Sequence, residues 1–256
     1  MSPGDERSFF TSYYRSTVSG SVLDSMTIGT VSEPEARFHY NASENSIIRA
    51  LSARDQVKHP PAVWRFAQQR RDWSVLDIGS GTGHWVDFYL DVYLARSVTA
   101  VEFVPQMADF LRDKYRDRPA VRVFEADVAE SLPSTDSFDI VNAIGVMFHI
   151  VDDVRWRRSI GNLAGALKTE GVMLVGGDFG DATRDVQFHR VDEFASWREH
   201  DAASSPPRRV NKRVRSLEEW TRTAHDAGLA VVDLVRSDAC NMIRTPENDL
   251  LVLRRA

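Results

Sequence analysis

The chain has 256 residues, 43% of them hydrophobic and 27% charged, which is the balance of a soluble globular protein with room for one large α/β domain and an appendage. Asp and Glu number 37 against 32 Lys and Arg, and the resulting net charge of −5 disfavours a generic nucleic-acid binder, whose footprint is a basic face. Cys240 is the only cysteine, which excludes an intrachain disulfide, a zinc ribbon and a CxxC pair. No run approaches the ~18 apolar residues of a membrane span, and Met1–Gly20 lacks the apolar core of a secretory signal. A cytoplasmic protein without a membrane partner is expected, as a monomer or homodimer.

Residues 1–71 read as helical pieces broken by loops, an N-terminal lid or cap. Ser43–Arg54 places Ile47, Ile48 and Leu51 on one face after a possible Ser43 or Asn41 cap. His59-Pro60-Pro61 stops that helix or begins the next. From Trp73 short β-rich runs alternate with helical stretches. The strand candidates are Ser74–Ile78, Val98–Phe103, Val121–Glu125, Phe138–Ala143, Gly171–Gly176, Leu229–Leu234 and Leu250–Leu253. Helical patterns lie near 84–95, 105–116, 153–168 and 216–227. The first three connections are long enough for parallel crossovers, and runs such as SVLDI are continuously apolar, as in a sheet covered on both faces. The expected fold is an α/β, doubly wound, Rossmann-like sheet of seven mostly parallel strands over 72–256. Residues 178–215 break the rhythm and read as a substrate-side insertion or a surface loop.

Val75-Leu76-Asp77-Ile78-Gly79-Ser80-Gly81-Thr82-Gly83 sits where a buried strand ends and a helix begins. Three glycines let the backbone turn sharply and approach a ligand. The dinucleotide fingerprint GxGxxG needs a third glycine at position 84, which is histidine. The pattern is instead DxGxGxG. Pyrophosphate favours a helix N-terminus without an adjacent carboxylate, so Asp77 suits a cationic or neutral ligand better than a diphosphate.

Here the sequence resembles the class I S-adenosylmethionine-dependent methyltransferases of small-molecule type, most clearly over residues 73–178. The resemblance implies that Asp77, Gly79, Ser80, Gly81 and Gly83 form the cofactor loop. It makes Glu102, in Thr99-Ala100-Val101-Glu102, the acid for both ribose hydroxyls, with Phe103 beside it. Asp127, in Phe124-Glu125-Ala126-Asp127-Val128, would accept the adenine amine, and the Val128 amide would donate to the ring. Asn142 and Ala143, in Ser137-Phe138-Asp139-Ile140-Val141-Asn142-Ala143, would line the methionine pocket through backbone groups. The implied cofactor is S-adenosyl-L-methionine, with S-adenosyl-L-homocysteine as product. No metal is expected, because no convincing acidic ligand cluster is present.

Methyl transfer is an in-line displacement that asks for placement and exclusion of water more than for a reactive side chain. His149, beyond the fourth strand in Gly145-Val146-Met147-Phe148-His149-Ile150, is the first candidate proton acceptor; Asp178, closing the fifth strand, is the second. Each could instead be a loop or capping residue. Arg37, His39, Tyr40 and Asn41 read as either a closing lid with substrate contacts or a helix start, and Phe179 as a substrate wall. The resemblance makes Tyr14 a cofactor contact. Phe188, Phe194 and Trp197 add aromatic character that suits a natural-product, isoprenoid or sugar-type acceptor. Arg208–Arg215 carries five positive residues in eight, for an anionic substrate or for neighbouring acids. A nucleic-acid acceptor is disfavoured: Asn142-Ala143-Ile144-Gly145 lacks the Pro-Pro-aromatic signature of base-amine methyltransferases. A catalytically silent cofactor-binding scaffold, an RNA or protein methyltransferase and a nicotinamide oxidoreductase remain alternatives.

Overall fold

Val75 and Leu76 are sequence neighbours buried in different apolar clusters, because successive strand residues point to opposite faces of a sheet. The computed structural model describes residues 7, 10, 11, 33–54, 71–132, 137–186, 212–237 and 248–256. Their elements are α1 (Glu33–Arg54), β1 (Arg71–Ile78), α2 (His84–Asp87, continued by a π-helical turn Phe88–Val92), β2 (Ala95–Glu102), α3 (Pro105–Lys114), β3 (Val121–Glu125) and β4 (Phe138–Ile144). A 3₁₀ turn (Met147–His149) leads to α4 (Asp153–Ala166), β5 (Leu167–Gly176), β6 (Arg184–Val186), β7 (Lys212–Val214), α5 (Leu217–Asp226), β8 (Leu229–Val235) and β9 (Leu250–Arg255).

Seven strands form one sheet in the order β3-β2-β1-β4-β5-β9-β8, with β9 antiparallel to both neighbours. The order reverses between β1 and β4, and a crevice at the carboxyl ends of those strands is where open α/β sheets take ligands. Val75, Val98, Ile140, Leu174 and Val252 face one layer, with Ile47 and Leu51 of α1, Trp85 and Val86 of α2 and Leu111 of α3. Leu76, Val101, Val141, Met173 and Leu253 face the other, under Trp156 and Ile160 of α4 and Trp220 of α5. The expected seven-stranded, mostly parallel fold is the observed one.

Several boundaries differ. α1 starts at Glu33, ten residues before Ser43, so Asn41 and Ser43 lie inside it rather than capping it. Burial of Ala42, Ile47, Ala50 and Leu51 sets its register, and Ser43 donates to Asn248 Oδ1 (3.2 Å). The helix expected over 84–95 becomes one α-turn and a π-turn in which the Tyr93 amide donates to the Phe88 carbonyl. β2 therefore begins at Ala95, and β5 reaches back to Leu167 at the end of α4. Inside the 178–215 segment, β6 and β7 pair antiparallel, Val186 opposite Lys212, and join the two ends of an excursion whose residues 187–211 lie outside the described set. Tyr14, Phe188, Phe194, Trp197, Cys240, Arg208 and Arg209, and the second helix expected before Trp73, also lie outside the described residues.

Candidate cofactor and acceptor site

Asp77 ends β1 in register with Asn142 of β4, across the junction where strand order reverses. The Asn142 side-chain amide donates to Asp77 Oδ1 at 2.7 Å, and the Tyr89 hydroxyl, delivered by the π-turn, donates to Asn142 Oδ1 at 3.1 Å. All three residues are fully buried. Asp77 Oδ2 has no hydrogen-bond partner among the described residues. Burial pushes the carboxyl up to about 7, opposed by the Asn142 hydrogen bond and reinforced by the charge of Glu102. A buried carboxylate oxygen without a donor is costly, and a ligand cation or amine at that point would relieve it. The Asn142 side chain is thus engaged on both sides within the protein, by Asp77 and by Tyr89. Ala143 is fully buried beside it.

The glycine loop is folded against β2. The amides of Gly79 (2.7 Å) and Ser80 (3.3 Å) donate to the Val101 carbonyl, and that of Gly83 to the Ser80 carbonyl (2.7 Å). The Gly81 amide donates to Glu102 Oε2 (2.9 Å), and Val104 N to Glu102 Oε1 (3.0 Å). Four loop amides are thereby committed inside the protein, which is unlike a loop whose amides cradle a diphosphate. Glu102 is buried, which raises its pKa, opposed by the two amides. Each carboxylate oxygen keeps a lone pair for further donors. Gly79 has φ +64° and a Cβ there would lie 2.4 Å from Val146 Cγ2; Gly83 has φ +88° and its Cβ would lie 2.2 Å from the Tyr115 hydroxyl. Only glycine fits either position.

Asp127 follows β3. Its Oδ1 accepts from the Ala129 amide (2.9 Å) and its Oδ2 from Arg155 Nη2 (2.5 Å), a residue of α4 that sequence reading did not single out. Val128 is buried, and its carbonyl accepts from Asn162 (2.7 Å). Arg7 pairs with Glu125 at the end of β3, and its guanidinium lies 5.3 Å from the Phe103 ring. Phe10 meets His149 edge-on at 4.8 Å. These N-terminal residues therefore reach both the β2–β3 side of the crevice and the turn beyond β4.

His149 is half-buried on the 3₁₀ turn, between Phe10 and Phe148. Asp178 is paired with Arg184 of β6. Phe179 is buried against Trp220. Asp178 and Phe179, with Phe148, Gly177 and Arg213, line a cleft that leaves about 10 Å³ for solvent, space for a single water. The described part of the basic run turns inward. Lys212 lies over Phe148, and Arg213 pairs with Asp153 and Asp185. Arg215, 1% exposed, donates to Asp153 and to the carbonyls of Ile150 and Val151, with its guanidinium 4.2 Å from Trp156. On α1, Arg37 and Asn41 are exposed, His39 meets Asn248 (2.9 Å), and Tyr40 stacks on His84, which pairs with Glu44. Among the described residues no three His, Cys, Asp or Glu are grouped to hold a metal, and no helix is long and apolar enough to cross a membrane.

Residues 75–171 match a family described as Methyltransferase domain. A malonyl-[acyl-carrier protein] O-methyltransferase of Paenibacillus sp. (strain JDR-2) is 29% identical over 163 residues, 62% of this chain and 55% of that protein. An rRNA adenine N-6-methyltransferase of Saccharopolyspora erythraea is 36% identical over 88 residues, 34% of this chain and 23% of that one. The chain thus spans about half or less of the length of these curated relatives. A solved S-adenosylmethionine-dependent methyltransferase from Clostridium acetobutylicum superposes with a TM-score of 0.59 at 15% identity, covering 85% of this chain and 92% of that one. The DxGxGxG loop lies within the stretch that matches the methyltransferase-domain family, and the 3-2-1-4-5-9-8 strand order is that of a fold shared with solved S-adenosylmethionine-dependent methyltransferases.

Proposed function

We propose that the protein transfers a methyl group from S-adenosylmethionine to a small-molecule acceptor. The observation that carries the cofactor half is Asp77: a buried carboxyl with one oxygen satisfied by Asn142 and the other without a partner among the described residues. The cofactor's amino group supplies the missing donor, its ribose hydroxyls suit the remaining lone pairs of Glu102, and its adenine amine suits Asp127. The residues present fit the group. The acceptor half rests on the carrier-bound acyl substrate named for the Paenibacillus relative and on the β6–β7 ribbon, whose β7 packs against the 3₁₀ turn beyond β4. The rRNA enzyme matches a third of this chain and supports an RNA acceptor less.

When bound, the cofactor supplies an electrophilic methyl on a sulfonium. The chain's part is to hold an acceptor atom ~3–3.5 Å from that carbon and keep water away. Phe10 and Phe148 flank the His149 ring, which supports the imidazole as the group that takes a proton from an acceptor hydroxyl or amine. Asp178 is the second candidate, and its pairing with Arg184 makes it the weaker one. The contacts of Arg7 and Phe10 support a closing role for the N-terminal residues, and Arg37, His39, Tyr40, Asn41 and Phe179 are the residues this reading assigns to the acceptor side.

Incubation with methyl-labelled S-adenosylmethionine and either a metabolite and acyl-thioester mixture or total RNA tests the reading. Label entering the small-molecule fraction supports it, and label entering RNA alone overturns the acceptor. A thermal shift with NAD(H) but none with S-adenosylhomocysteine would overturn the cofactor.

A further inference from the structure

β3 and β4 are separated in the sheet by β2 and β1, so a bond between residues following β3 and β4 has to span the strand ends. Asp127 and Arg155 make such a bond. Arg155 lies in the first turn of α4, beyond β4, and its guanidinium reaches Asp127 Oδ2 with only 11% of its side chain exposed. The turn that carries it is itself fixed: Asp152 caps α4 by accepting from the Arg155 amide at 2.8 Å, and Arg215 holds Asp153 from the opposite side. On the other arm, the Ala129 amide fixes Asp127 Oδ1. The carboxylate is gripped at both oxygens, in one orientation, with one lone pair left on each.

We infer that Arg155 is a positioning residue for purine recognition: it holds Asp127 as an oriented acceptor, so that the crevice selects a 6-amino purine over a 6-oxo purine. The inference rests on the proposed adenine contact of Asp127. A guanidinium is always charged and donates along fixed directions, so it keeps its partner an acceptor and prevents rotation. A 6-amino group donates to such a carboxylate. A 6-oxo group turns a lone pair toward it, and the mismatch leaves polar groups unpaired. Without Arg155 the carboxyl can rotate, and the fixed acceptor that opposes a 6-oxo group is lost. The residue therefore acts on selectivity and not only on affinity.

The test is calorimetric binding of S-adenosylhomocysteine and of its deaminated analogue, S-inosyl-L-homocysteine, to wild type, Arg155→Lys, Arg155→Met, Asp127→Asn and the Met/Asn double variant, with melting temperatures alongside. Wild type is expected to favour the adenine ligand at least tenfold. Arg155→Met should lose at least fivefold in affinity for it and lower the preference to less than threefold, Arg155→Lys should restore most of both, and the double variant should be no worse than Asp127→Asn. If Arg155→Met melts earlier yet keeps the wild-type preference, Arg155 is structural and the inference falls while the Asp127 reading stands. If Asp127→Asn binds both ligands as wild type does, the adenine contact itself is wrong.

Discussion

Asn142 and Asp77 stand opposite one another on β4 and β1, and the amide of one donates to the carboxyl of the other at 2.7 Å inside the sheet. Tyr89 extends the chain by donating to Asn142, so the amide's donor and acceptor ends are both used. The arrangement orients Asp77 without neutralising it. Its second oxygen has no hydrogen-bond partner among the described residues.

Cofactor affinity is expected to depend on pH through Asp77. In the ligand-free protein its pKa stands at about 7, because burial disfavours the charge. A cationic amine favours the carboxylate, so binding below pH 7 first requires loss of a proton. S-adenosylhomocysteine affinity should fall by up to about tenfold per pH unit below 7 and level off above 8. Calorimetry in buffers of different ionisation enthalpy would register proton release at pH 6. Asp77→Asn should bind more weakly and without that slope. Tighter binding at pH 6 than at pH 8 would refute the pairing.

The same carboxyl predicts a stability effect of opposite sense. The folded pKa of about 7 lies above the ordinary aspartate value of 3.8, so between those limits the folded state binds more protons than the unfolded one. Stability from this group is full below pH 3.8 and declines until the pH passes about 7. Asp77→Asn keeps an acceptor for Asn142 and carries no charge. Ligand-free Asp77→Asn should therefore gain on wild type in melting temperature as pH rises from 5 to 7, with a constant difference above 8. An equal difference at every pH would show that Asp77 does not titrate in this range.

Glu102→Gln tests the loop and the ribose contact together. Gln has one acceptor oxygen, whereas Glu102 serves the Gly81 and Val104 amides with one oxygen each. One backbone donor must then face an NH₂ group. A loss of about 1–3 kcal/mol in unfolding free energy is expected, and S-adenosylhomocysteine affinity should weaken by about tenfold or more. Urea titration and calorimetry on the same preparation measure both. If stability falls while affinity holds, Glu102 shapes the loop and does not contact the ribose.

Sequence reading located the strands because buried parallel strands are continuous apolar runs, and the family resemblance singled out Glu102 and Asp127, which with Asp77 lie at or just beyond the carboxyl ends of β2, β3 and β1. It did not foresee that Asp127 is gripped by Arg155, since a pair 28 positions apart is brought together only by the crossover through β4. Tyr89 lay inside a helical pattern, where a shift from α to π turns leaves no periodic trace. Three-residue strands such as β6 and β7 are too short to show alternation, so the ribbon was invisible. Arg215 was legible as part of a basic run, but its burial against Asp153 depends on β7 passing behind the 3₁₀ turn.

Arg215 offers a direct measure of how firmly that ribbon is joined to the turn carrying His149. It is almost wholly buried, and burial lowers its pKa while Asp153 holds the charge in place. Arg215→Met removes the buried cation, leaves the Ile150 carbonyl without its donor and leaves Asp153 and the Val151 carbonyl to Arg213, a change expected to cost about 3 kcal/mol. Arg215→Lys keeps a cation and replaces the planar fork by one ammonium, so it should recover part of that loss. Urea unfolding ranks the three proteins.

Gly83 tests the fastening of the loop to α3. Its φ of +88° and the 2.2 Å approach of the Tyr115 hydroxyl impose two separate penalties on any side chain. Gly83→Ala should lose about 1–2 kcal/mol to backbone strain, with a further cost from the collision. Tyr115→Phe alone should lose about 1 kcal/mol, because the hydroxyl donates to the Gly83 carbonyl (2.8 Å) and to Asp87 (2.9 Å). In the double variant the clashing oxygen is gone, although ring carbons remain at 3.0 Å and the strain persists. The pair should therefore be destabilised by less than the sum of the singles, by about 1 kcal/mol in a double-mutant cycle. Strict additivity would mean that Tyr115 moves aside at no cost, and the loop would then owe its shape to the backbone alone.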